Sequence, residues 1–132
     1  MKGIATQMIH SVGIDIVDLN RIRHTYETYG DKFLMRIYSP DEIIFLMSSP
    51  GDLIRKIAGR FAAKEAVIKA LGHFFDSGVF LRDIEILCRE GQAVLVRLPK
   101  RLQSELNGSI IMVSLSEQST IAMAVAIISD EA

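Results

Sequence analysis

Three features of this chain predict an α+β fold with a mainly antiparallel sheet. A β-branched, alternating run, MIHSVGIDIV, lies near the start. Helix start and stop signals crowd the middle, and strand-like runs return in the second half. The length of 132 residues suits a single domain spanning 1–132.

Residues 8–17 alternate and read as a strand. Asp18 is placed to cap a helix from Leu19 to Tyr29, which Gly30 ends. A short helical turn follows at Phe33–Ile37. Ser39-Pro40-Asp41-Glu42 is a strong helix start: Ser39 at the N-cap, Pro40 at N1, and Glu42 at N3 completing a capping box. That helix runs to Met47 and stops at Ser49-Pro50-Gly51. The next spans Leu53–Leu71, with Gly72 as its C′ residue. IEILC and AVLVRL read as strands joined by a turn at Glu90-Gly91. Pro99 opens a short helix, KRLQSEL, which Asn107-Gly108 ends. Ile110–Leu115 and Thr120–Ile128 form a closing strand pair, joined by the polar stretch Ser116-Glu117-Gln118-Ser119.

The hydrophobic fraction of 49% supplies a core and argues against disorder. A net charge of −1 predicts no nucleic-acid partner. Residues 53–72 nevertheless carry Arg55, Lys56, Arg60, Lys64 and Lys69 against Glu65 alone. Such a run suits phosphates or an acidic protein, but a solvated basic face is the commoner explanation. The lone Cys88 forms neither an internal disulfide nor a zinc cluster and reads as a small core residue. MKGIATQMIH lacks the apolar region of a signal peptide, and IIMVSLSEQSTIAMAVAII is interrupted by polar residues, so no membrane span is expected. The expectation is a soluble, cytoplasmic protein.

Two places hold candidate chemistry. In VGIDIV, alternation puts Val12, Ile14 and Ile16 on one face and Gly13, Asp15 and Val17 on the other. An ionised Asp15 there needs a partner, a metal or water; bonding to backbone amides explains it without any function. For Asp18, helix capping suffices. In RFAAKEAVIKALG, the helical period sets Glu65 beside Ala58, Phe61, Ala62 and Ile68, on the apolar and small-residue side. Lys69 follows one turn on, in the favourable order for an i,i+4 pair. An exposed pair explains the spacing but not the apolar setting. A carboxylate facing inward beside a lysine suits magnesium and phosphate, and Asp15 and Glu65 are candidates to share the metal. Periodicity alone does not establish that they meet.

GIDIVDLNRI, RIYSPDE and GRFAAKEAVIKALG together resemble the holo-acyl-carrier-protein synthases, the short group of 4′-phosphopantetheinyl transferases. The matching motifs are Gly13–Val17, Phe33–Glu42 and Phe61–Gly72, in the family's order and separation, followed by Gly78 and Asp83-Ile84-Glu85. The resemblance covers most of residues 8–90 and is specific there. It implies transfer of 4′-phosphopantetheine from coenzyme A to a serine of apo acyl carrier protein, with release of adenosine 3′,5′-bisphosphate. It also implies Asp15 and Glu65 as magnesium ligands, Lys69 as the site lysine, and Arg21 as a contact to the acidic carrier protein, with Arg23 and His24 beside it. Arg60, about 140° from Glu65 around the helix, is then a coenzyme A contact for a neighbouring subunit's site or an ordinary surface residue. The resemblance implies a homotrimer with sites at subunit interfaces.

The last third departs from the pattern. Gly91-Gln92-Ala93 stands where a Gly-Lys-Pro-like turn is usual, and His73-Phe74-Phe75 replaces a glycine-rich loop. Glu117 takes the place of a histidine near coenzyme A, where a lone carboxylate would repel phosphate. These departures keep two rival readings open: a degenerate module that binds carrier protein or coenzyme A without catalysis, and a metal-dependent pyrophosphate hydrolase.

Overall fold

The structure, a computed structural model, describes residues 7–72, 78–87 and 94–131. Its elements follow the order strand, four helices, two strands, helix, two strands. They are β1 (Ile9–Asp18), α1 (Leu19–Tyr29), α2 (Asp31–Ile37), α3 (Pro40–Ser48), α4 (Leu53–Leu71), β2 (Glu85–Leu87), β3 (Leu95–Arg97), α5 (Lys100–Glu105), β4 (Ile110–Gln118) and β5 (Ile121–Ser129). The architecture is α+β, as the sequence predicts. β1, β5 and β4 form a three-stranded antiparallel sheet with β5 at its centre, and β2 pairs with β3 in a separate two-stranded ribbon.

The caps explain the helix limits. Asp18 accepts a hydrogen bond from the Asn20 amide at 2.8 Å and starts α1. Gly30, at φ 54°, turns the chain from α1 into α2. The reciprocal Ser39–Glu42 capping box starts α3. Two details differ from expectation. Gly72 is right-handed (φ −55°) and simply donates to the Ile68 carbonyl as the helix ends, so no left-handed C′ turn forms. The polar stretch after Leu115 stays in β4 as far as Gln118, leaving a tight turn of Ser119 and Thr120 with Ser119 at φ 55°. The Glu90-Gly91 turn, Cys88, and the 73–75 and 91–93 departures lie outside the described residues.

Helix α4 is the centre of the fold. It packs on β1, β5 and β4 and also meets α1, α3 and β2. Its packing residues are small: Ala58, Gly59, Ala62, Ala63, Ala66 and Ala70 are all buried. The sheet answers with Gly13 in β1 and the alternating Ala122, Ala124 and Ala126 of β5, paired so that Gly13 lies opposite Ala126 and Asp15 opposite Ala124. The approach is close enough that a Cβ on Gly13 would stand 2.0 Å from the Ala66 carbonyl oxygen. Ser11 adds a hydrogen bond from its hydroxyl to the Ala70 carbonyl at 2.6 Å. The other face of the sheet is uncovered and apolar, with Val12, Ile14, Ile16, Met112 and Met123 all exposed.

The cation-rich run of α4 is not a solvated face. Lys64 is fully buried, with its ammonium 2.6 Å from Glu42 Oε1 and also donating to the carbonyls of Leu81 and Ile84. Glu42 is equally buried; it accepts from the Ser39 amide through Oε1 and from the Ile86 amide through Oε2. Burial pushes the Glu42 carboxyl up and the Lys64 ammonium down, each opposed by the other's charge. Lys56 donates to the Leu46 and Ser49 carbonyls at the end of α3. Lys64 is therefore not a surface cation: α3 and the segment before β2 together supply three acceptors for its ammonium.

Removing one partner of this pair leaves the other charged and buried. Glu42→Gln is expected to lower unfolding stability by about 3–5 kcal/mol, read from urea denaturation. A loss below about 1 kcal/mol would mean that the pair does not hold α3 to α4.

Candidate active site

The close packing of α4 on β1 brings Asp15 and Glu65 to one place. Asp15 points from β1 toward α4, on the face shared with Gly13 and Val17. Both carboxylates line an open cleft of about 390 Å³, together with Arg21, Ile22 and Thr25 of α1, Phe33 of α2 and Phe61 of α4. The apolar wall of Phe33, Phe61 and Ile22 leaves the two carboxylates on one side and Arg21, exposed at the rim, on another.

Lys69 takes a different partner from the one its spacing suggests. Its ammonium lies 2.9 Å from Asp15 Oδ1 and 3.0 Å from the Ile14 carbonyl oxygen, so it bridges α4 to β1. Its ion pair is therefore with Asp15 and not along the helix with Glu65, which feels Lys69 only as a nearby charge. Burial, and then the Asp15 charge, raise the Glu65 carboxyl above its ordinary value, and Lys69 partly offsets them. Among the described residues the partner of the Asp15 side chain is the Lys69 ammonium and not a backbone amide. Asp18 is a cap, as expected, although it also borders the cleft.

Arg60 does not line this cleft. It is buried, its guanidinium carbon lies 5.9 Å from the centre of the Phe45 ring, and its Nη1 donates to the Lys56 carbonyl. The surface reading of Arg60 is thus corrected: the helix period carries it away from Glu65 and against α3. Near it stands Glu117, on the helix-facing side of β4. Gly59 leaves room for the carboxylate, since a Cβ there would lie 2.9 Å from Glu117 Oε1. Arg55 Nη1 lies 4.0 Å from Glu117 Oε2 and Arg60 adds a second positive charge, while burial raises the Glu117 carboxyl. Glu117 is therefore not a lone carboxylate. Its charge is offset within the fold by two arginines that precede it by more than fifty positions. Arg23 and His24 are exposed on α1, and His73 lies outside the described residues.

A divalent cation fits Asp15 and Glu65 chemically. They are two hard oxygen donors facing one cleft, with like charges that a single ammonium offsets only in part. Among the described residues no group of three or more His, Cys, Asp or Glu side chains gathers. The donor set is that of an ion which takes one or two protein carboxylates and completes its shell with water and substrate phosphates. No helix among the described residues is long and apolar enough to cross a membrane.

The fold and this cleft point to a class of group-transfer enzymes, and comparison with known proteins agrees. Residues 11–126 match the family model of the 4′-phosphopantetheinyl transferase superfamily. A holo-acyl-carrier-protein synthase of Pelodictyon phaeoclathratiforme is 54% identical over 76 residues, which are 58% of this chain and 62% of that protein. One from Chlamydia trachomatis serovar D is 40% identical over 116 residues, or 88% of this chain and 96% of the relative. A crystal structure of the Helicobacter pylori holo-acyl-carrier-protein synthase, in complex with coenzyme A, has a TM-score of 0.76 and 33% identity, covering 89% of this chain and 98% of that one. The chain belongs to the 4′-phosphopantetheinyl transferase superfamily and, within it, to the holo-acyl-carrier-protein synthases; it is an enzyme.

The raised Glu65 carboxyl sets a pH dependence. The native state keeps this proton to higher pH than the unfolded chain, so stability falls as pH rises from the ordinary carboxyl value of 4.5 through the raised native one. Above that window the penalty is constant. Glu65→Gln removes it. Without added metal, the variant is expected to melt higher than the parent near pH 8, with the gap closing near pH 4. Equal melting temperatures near pH 8 would show that Glu65 carries no such strain.

Proposed function

We propose that this enzyme transfers 4′-phosphopantetheine from coenzyme A to a serine of an apo acyl carrier protein, with magnesium as its metal. The observation that carries this reading is the meeting of Asp15 and Glu65 in one cleft, with Lys69 against Asp15 and Arg21 at the rim. The named activity of the relatives and the coenzyme A complex of the Helicobacter pylori enzyme support it. The site belongs in the cytoplasm, where both substrates are made available to fatty acid biosynthesis.

In this reading Asp15 and Glu65 hold the magnesium ion. When bound, the ion neutralises the pyrophosphate and polarises the phosphorus under attack. The serine oxygen forms a bond to the phosphorus that carries pantetheine, and its proton passes to a carboxylate of the cleft or to water. The bond from that phosphorus to the bridging oxygen breaks, and adenosine 3′,5′-bisphosphate leaves with the electron pair. Lys69 meets negative charge on the transferring phosphate. Arg21, exposed beside the cleft, meets the acidic carrier protein, and α1 carries Arg23 on the same element. The apolar wall of Phe61, Phe33 and Ile22 restricts water near the reacting group, which favours transfer over hydrolysis.

We take the uncovered sheet face as the contact that builds a homotrimer. A row of Val12, Ile14 and Ile16 exposed to water is typical of an interface and not of a free surface. Arg60 and the Arg55–Glu117 cluster then complete the coenzyme A site of a neighbouring subunit, since they stand apart from the Asp15–Glu65 cleft of their own chain.

Mass spectrometry of an apo carrier protein incubated with enzyme, coenzyme A and magnesium tests the reaction. A phosphopantetheine-sized gain is expected, and Glu65→Gln is expected to lose it by at least about a hundredfold while staying folded. Cleavage of coenzyme A without that gain would establish a hydrolase. Binding without turnover would establish a degenerate module. For the assembly, light scattering is expected to give three times the chain mass of 14.7 kDa, and Val12→Glu to give smaller species; a parent protein of one chain mass would exclude the trimer.

A further inference from the structure

The Asp15–Lys69 pair is unequal in a way that bears on how the site fills. Asp15 is held on a strand, with its side chain 15% exposed; Lys69 is 53% exposed near the end of α4. The carboxylate is thus fixed and the ammonium reaches it from outside on a flexible stem. One of the two ammonium acceptors is the neutral Ile14 carbonyl, so only Asp15 binds it by charge. Lys69 is also spaced to pair with Glu65 along the helix, yet it sits on the carboxylate across the cleft.

Two ionised carboxylates and one ammonium leave these three groups one positive charge short of balance. A divalent cation on Asp15 and Glu65 balances both carboxylates by itself. The ammonium then has no remaining role at Asp15 and faces a like charge at short range. Lys69 already occupies Oδ1, one of the two Asp15 oxygens that a cation could use. Departure of Lys69 needs only a change in its own exposed side chain, with no movement of α4 or β1.

We propose that Lys69 is the resident counter-ion of Asp15 in the metal-free enzyme, and that a divalent cation displaces it, releasing the ammonium for the substrate phosphate. The inference rests on the metal-site reading of Asp15 and Glu65 given above. It makes metal and phosphate binding mutually dependent. In the metal-free enzyme a phosphate must take Lys69 from Asp15, whereas in the loaded enzyme Lys69 is already free. By reciprocity, a phosphate that draws Lys69 away strengthens metal binding by the same factor.

The test uses manganese alone as the probe, with free ion counted by electron paramagnetic resonance and no substrate present. Lys69→Gln and Lys69→Met, each checked for an unchanged melting temperature, are expected to bind the ion more tightly than the parent, on the order of tenfold. In the parent protein, acetylation of Lys69, measured by peptide mass spectrometry, is expected to speed up when magnesium is added. Lysine variants that bind manganese equally or more weakly would overturn the exchange while leaving the metal site in place. So would Lys69 acetylation that magnesium leaves unchanged. A parent protein that binds no manganese would overturn the metal-site reading, and the exchange with it.

Discussion

The contact between α4 and the β1–β5 pair is the constraint on which the rest depends. Gly13 lies against the Ala66 and Ala70 backbone, and the alanines of both elements remove the side chains that would hold a helix off a sheet. The closeness has a functional result. It lets a short Asp on the strand share a cleft with a Glu on the helix and lets one lysine span them. A larger residue at position 13 would separate the two carboxylates before it disturbed any residue of the cleft itself.

A second constraint sets the helix rotation. Lys64 and Glu65 are neighbours that face different surroundings. Lys64 is driven inward by three acceptors from α3 and the segment before β2, and Glu65 is thereby turned toward the cleft. The buried ion pair is a poor source of net stability, because desolvation opposes its attraction. Its value is orientation: a half-turn of α4 would carry Lys64 away and leave Glu42 buried without its cation. The Glu42 that receives Lys64 also caps α3, so one carboxylate fixes the start of one helix and the rotation of another.

Most of the fold was legible because its signals are local. The limits of α1 and α4, the capping box at Ser39 and the closing strand pair all follow from caps, glycines and alternation. The inward facing of Glu65 was legible from the helical period. What escaped depends on distant partners. Nothing near Lys64 in the chain announces Glu42, or the carbonyls of Leu81 and Ile84. The spacing of Lys69 pointed to Glu65, while the tertiary structure supplied Asp15 instead. Arg60 and Glu117 likewise looked like a surface cation and a misplaced anion, because the arginines and the carboxylate belong to elements far apart in sequence. The family's motif pattern located the cleft residues, and the structure supplied the relations among them.

Among the described residues, the strand that carries Asp15 is an edge strand, and β5 is its sole neighbour in the sheet. β5 is also the last element of the fold, and the two are further joined by His10 and Asp130, 120 positions apart. β1 therefore cannot enter this sheet until β5, more than a hundred positions further along the chain, has been made. Closing so long a loop is slow compared with forming the local helices. The strand side of the cleft is thus held in its sheet by a partner strand more than a hundred positions away in the chain.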